Sequence, residues 1–162
     1  MKEARKVLVK GKKSENKSLD YIDSLPEVMA NKNMKCEGTS LDYFLNEENL
    51  ISFLKKNAQH SLLHCLHLYS NKKYKDYNDW EKFYQTFQLD LVKLSQHHTY
   101  YMAGMLALNG INNMDVSFDK NVVIHLRRML RIFCLTTIVT HSAPLGITKF
   151  FSPDQYSMLQ EA

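Results

Sequence analysis

Three histidines, His60, His64 and His67, follow one another at i, i+4 and i+7 in "HSLLHCLH". On a helix that spacing turns three imidazoles to one face, an arrangement zinc accepts. A helical metal-binding enzyme built on them is one expectation. The sequence supplies no obvious fourth ligand: Cys65 stands about 100° from His64 around a helix, and no HExxH pattern brings a base. Ordinary surface and boundary histidines are the simpler reading. His97 and His98 are adjacent, so a helix sends them to different faces and they do not chelate together. His98 falls on an apolar stripe, where a core-edge histidine with one bonded nitrogen is the simplest role. The run "HLRRMLRIF" puts Arg127 and Arg131 on one helix face with Arg128 beside them. Guanidinium groups there suit a solvated face or a carboxylate-bearing protein interface. Nucleophile and phosphate-cradle motifs are missing: there is no GxSxG, and "LNGINN" has neither P-loop nor dinucleotide-binding spacing.

These residues need rods to carry them, and the chain supplies helices. It has 162 residues, 44% hydrophobic and 23% charged, with only five Gly and three Pro. That is enough chain for one core and favours helices over a turn-rich β fold. From Asn46, a candidate N-cap, the residues Leu50, Phe53, Leu54, Ala58, Leu62, Cys65 and Leu66 recur at steps of three and four. After the polar run "SNKKYKDYND", Trp80, Phe83, Tyr84, Phe87, Leu91, Leu94, His98, Tyr101, Met105 and Leu108 do the same. They predict one helix, or two broken near Gln88–Leu89, ended by the glycine-containing segment 109–113. A further helix from about Phe118 to Thr140 should turn Val122, Leu126, Met129, Leu130, Phe133 and Thr137 inward, with Pro144 and Gly146 beyond it. The end, "ITKFFSPDQYSMLQEA", should dock as a strand or a helical turn. The fold expected is mainly α: a helical domain over 46–162, preceded by a small α/β, strand-containing module over 19–45.

Residues 1–18 carry seven Lys/Arg against two Glu, a net +5. The whole chain is +4, so the remaining residues sum to −1. A basic tail, mobile and solvated, is the plain expectation for 1–18. A nucleic-acid-binding helical module working through that tail and Arg127, Arg128 and Arg131 is the functional alternative. Three widely spaced cysteines give no disulfide framework, and the amino-terminal stretch has no signal-peptide pattern. "RIFCLTTIVT" is too short to span a bilayer, so no membrane role is expected and a cytosolic or nuclear location is.

Further landmarks appear in order along residues 19–140. They are "LDYIDSLPEVMANKNMKC", "FLKKNA", a tyrosine-containing turn, the single Trp80, a "DLVKL" segment, "HHTYYMAG" and "HLRRMLRIF". In that order they resemble the GINS family of eukaryotic replication proteins, in which a Trp-Leu-Ala motif opens the helical domain and an aromatic-Gly signature follows. Phe53 stands where that family has the Trp, and its Leu-Pro before the motif is absent. The resemblance implies a non-catalytic subunit of a heterotetramer in the nucleus, not an enzyme and without a cofactor. Its partners would be the other GINS subunits, the Mcm helicase ring and its Cdc-type cofactor, with DNA contact not required. It also implies that the aromatic stripe is core plus subunit interface, with Tyr84, Phe87, Tyr100, Tyr101, Gly104, Arg127, Arg128 and Arg131 as interface candidates.

Overall fold

The structure is a computed structural model that describes residues 2–11, 13–14, 17–31, 34–70, 80–114, 118–141 and 150–162. Every regular element among them is helical. In chain order they are α1 (Lys2–Lys10), a 3-10 segment (Lys17–Ile22), α2 (Leu25–Ala30), α3 (Leu41–Leu45), α4 (Glu47–Ser70), α5 (Trp80–Asn112), α6 (Lys120–His141) and α7 (Pro153–Glu161). The chain divides into two compact units, one from residues 1–32 and 58–98, the other from 33–57 and 99–162. Each of the long helices α4 and α5 contributes residues to both.

In the first unit, the stretch expected as a mobile tail holds α1, whose Ala4 and Val7 are buried. Gly11 ends this helix at φ 61°, the left-handed conformation glycine adopts without strain, and its N–H donates to the Val7 carbonyl at 3.0 Å. Pro26, at the start of α2, fits because the first turn of a helix needs no donor there. Tyr21, Ile22, Leu25 and Val28 are buried in this unit, as are Leu62, Cys65 and Leu66 of α4. Helix α5 kinks at Phe87 (φ −115°, ψ 22°), one residue before the predicted break. Phe83 packs there against Phe87 and edge-on to Tyr69, with ring centroids 4.9 and 5.2 Å apart.

In the second unit, Asn46 caps α4 as expected, its Oδ1 accepting from the Asn49 N–H at 3.1 Å. Leu50, Phe53 and Leu54 of α4 are buried. Phe53 meets Phe44, Phe150 and Phe151 at centroid separations of 5.2–6.1 Å. Helix α7 opens with a reciprocal capping box: Ser152 Oγ accepts from the Gln155 N–H, and the Gln155 side chain accepts from the Ser152 N–H. The same Gln155 amide donates to the Cys36 and Gly38 carbonyls at 3.0 and 2.7 Å.

One expectation is corrected, and another is met in part. The segment 19–45 holds no strand among its described residues; it folds as helical turns. The extended residues near Cys36 make a single backbone bond, from the Cys36 N–H to the Phe150 carbonyl at 2.8 Å, where a sheet needs a ladder of them. Helix α5 runs through Gly110 and ends at Asn112, inside the segment 109–113 expected to stop it. The inward face expected for α6 is met in part, by Leu130 and Thr137. Leu130, Cys134, Leu135, Thr137 and Ile138 are buried, while Val122 and Met129 are 45% and 66% exposed. Pro144 and Gly146 lie outside the described residues.

Candidate functional site

The expected histidine triad does not assemble. His64 is exposed and faces Asp90, Nε2 to Oδ1 3.4 Å, and His67 is exposed as well. Cys65 Sγ is turned to the Asp90 carbonyl at 3.6 Å. Burial pushes this thiol up to about 11, with Asp90 adding to the effect. Among the described residues no group of three His, Cys, Asp or Glu is placed to hold a metal ion. That removes the metal-enzyme alternative built on His60, His64 and His67.

The adjacent histidines of α5 do part company, in the opposite sense to the expected one. His97 is the buried member, 5% exposed, with Nδ1 2.5 Å from Ser61 Oγ. His98 is half-buried and lies against the Tyr21 ring at 5.6 Å, its Nδ1 buried without a hydrogen-bond partner. Burial lowers the His98 pKa, holding the imidazole neutral. Ser61 and His97 form a hydrogen-bonded pair of the kind that activates nucleophiles. Both are more than nine-tenths buried, and the pair joins α4 to α5 within the first unit.

The arginines of α6 are largely spoken for. Arg131 donates from Nε to Glu47 Oε1 at 2.8 Å, and its Nη2 lies at the same distance from that oxygen. Arg127 donates to Asn112 Oδ1 at 2.7 Å and stands 3.8 Å from Glu47 Oε2. One buried carboxylate thus ties the start of α4 to α6, and Arg127 extends the tie to the end of α5. Arg128 points to solvent.

The aromatic interface candidates fall into different settings. Tyr101 and Phe87 are buried, at 3% and 8% exposure, while Tyr84 is half-exposed. Tyr100 stacks on His141 with centroids 5.1 Å apart and meets Phe133 edge-on. Gly104 is a packing residue: a Cβ there would stand 2.5 Å from Ile51 Cδ1. The side chain of Trp80, with Tyr74 and Tyr77, lies outside the described residues.

Sequence reasoning missed the groove between α5 and α6, in the second unit. It encloses about 430 Å³. Its α5 side is the small-residue run Ala103, Ala107 and Gly110, three and four apart and therefore on one face. Its α6 side is Met129, Leu130 and Phe133, with Ile111, Met114 and Leu126 toward the α5–α6 connection. None of the nine lining side chains ionises or carries a hydrogen-bonding group other than a thioether sulfur. The signal that could have found it was in view: a small-residue face on α5 opposite large apolar residues on α6, of which Leu126, Met129, Leu130 and Phe133 were expected inward while Ala103 and Ala107 were given no role.

Helical rods lined on one side by small residues and on the other by large apolar ones define the class as an α-helical unit with an apolar groove. The family follows from comparison. Residues 46–162, which hold α4 to α7, match the family model for acyl-CoA oxidase, and the chain belongs to that family. No curated protein and no solved structure matches it. The family match overturns the resemblance to GINS, and with it the replication-scaffold role and the expectation of a non-enzyme family. The heterotetramer, the Mcm ring with its Cdc-type cofactor, and the nuclear location rested on that resemblance alone. Its physical root is plain. Aromatic residues at helical spacing and a glycine under a neighbouring helix are demands of close helix packing, met by unrelated bundles alike. No helix of the described residues is long and apolar enough to cross a membrane.

Proposed function

We propose that this chain serves acyl-CoA oxidation by holding the acyl group of the thioester in the groove between α5 and α6. The observation that carries the reading is the groove's lining, apolar throughout and lying wholly within the family-matched segment. Its size falls in the range of about 300–1,000 Å³ common for small-molecule sites. Hydrocarbon gains about 0.8 kcal/mol per buried methylene, so a handful of methylenes supplies useful affinity without a single polar contact. Met114 and Met129 suit such a ligand, because an unbranched, polarizable thioether adapts its shape to a flexible chain. The small α5 residues let the ligand approach the helix backbone, and the large α6 residues line its other side.

Oxidation also requires an electron-accepting group, which side chains alone do not supply. A redox cofactor is held through hydrogen bonds and charge contacts, and the groove lining presents neither. The described residues of this groove therefore do not fit such a group, and no electron or proton transfer is assigned to them. Their role in the reading is to bind and orient.

Titration calorimetry with coenzyme A and a series of its saturated acyl thioesters tests the proposal. Affinity should rise about fourfold for each added methylene until the groove is filled. Equal affinity for free coenzyme A and for every thioester would refute it.

A further inference from the structure

We infer that Gly110 is the specificity-determining residue of the groove, setting how long an acyl chain it accepts; the inference rests on the groove being the acyl site. Glycine in a helix interior weakens the helix, so its presence at position 110 calls for a reason. The two usual ones fail. Gly110 does not have the positive φ that only Gly11 shows among the described glycines. It also serves no close packing among the described residues. A Cβ built at Gly104 runs into Ile51 and Leu54, whereas one built at Gly110 meets nothing within 4 Å. The space that Gly110 leaves belongs to the groove, whose lining it joins with Ile111 and Met114 near the α5–α6 connection. A side chain placed there would project into free volume, disturb no neighbour and occupy length that a hydrocarbon chain otherwise fills. The reading places the far end of the acyl chain toward the connection, so the stretch removed is the last that a lengthening chain fills.

The test uses the full chain as wild type, Gly110→Leu and Gly110→Ala, titrated with coenzyme A and with hexanoyl-, decanoyl- and palmitoyl-CoA. Thermal unfolding of each form is measured alongside. Gly110→Leu should keep the hexanoyl affinity and the fold. It should lose the long-chain gain by about 60- to 250-fold, the equivalent of three to four methylenes displaced by a side chain of four carbons. Gly110→Ala should shift the same limit by about one methylene, roughly fourfold. Neither variant should melt below wild type, since both replace glycine in a helix with a better helix former. A wild type that gains affinity with chain length, beside variants whose profiles run parallel to it, overturns the inference and leaves the acyl-site reading standing. A wild type that binds all thioesters no better than coenzyme A overturns the reading, and the inference with it.

Discussion

His98 shows how one side chain carries both a structural and a pH signature. Its Nδ1 is buried and unpartnered, and burial depresses the imidazole pKa below the ordinary 6.5. The unfolded chain therefore binds a proton at a pH where the folded chain does not. Stability from this residue is fully present above about pH 6.5 and is lost as pH falls below it. His98→Phe keeps a ring against Tyr21 and removes the titration. Relative to wild type, the variant should gain stability on going from about pH 7.5 to 5.5, by a small amount because the ring is partly exposed. Urea unfolding at the two pH values measures it, and a constant difference would show that His98 is not the titrating group. At this scale the sequence was half legible. It separated His97 from His98, yet placed His98 inward. The buried stripe of α5 instead passes through Phe83, Phe87, His97, Tyr101, Gly104 and Leu108. This series steps by threes and fours on either side of a ten-residue gap between Phe87 and His97, and it includes a histidine and a glycine that hydrophobicity alone passes over.

Helix α4 was legible because most of its inward face is apolar and its cap is an asparagine followed by two glutamates, although Asn57, Gln59 and Ser61 are buried there as well. Helix α6 was legible in extent but not in phase. Apolar residues cover most of its circumference, Ile124, Met129 and Ile132 being exposed while Leu130 and Ile138 are buried, so periodicity could not choose the face. The Glu47 carboxylate that ties α4 to Arg131 was hidden too, since its partner lies 84 residues away in the chain. Glycine is the sharpest element-scale test. Gly104→Ala should gain about 1 kcal/mol of helix propensity and lose about 1–3 kcal/mol by overpacking against Ile51 and Leu54. The net expectation is a loss of about 1 kcal/mol, read as a lower urea midpoint at unchanged slope. A raised midpoint would mean that α4 and α5 are not held as closely as described.

Over the whole molecule, the helical class was readable from scarce glycine and proline and from long 3.6-residue periods. The family was not. A groove is defined by what two helices leave empty between them, and a linear pattern reports only what they fill. Cys36, in the second compact unit, is 8% exposed, but each unit encloses one thiol with almost no exposed surface: Cys65 at 1% in the first and Cys134 at 0% in the second. Burial raises their pKa to about 11 and 12, aided by Asp90 and Glu47 respectively, so both sulfurs stay protonated at neutral pH. Reagents such as iodoacetamide attack the thiolate, and only where they can reach it. Nature has therefore placed one silent clock in each half of this protein. Under mild denaturant, mass spectrometry of the alkylated peptides should time the opening of the two halves separately. Rapid labelling of either cysteine in the native chain would mean that its half breathes far more freely than its packing suggests.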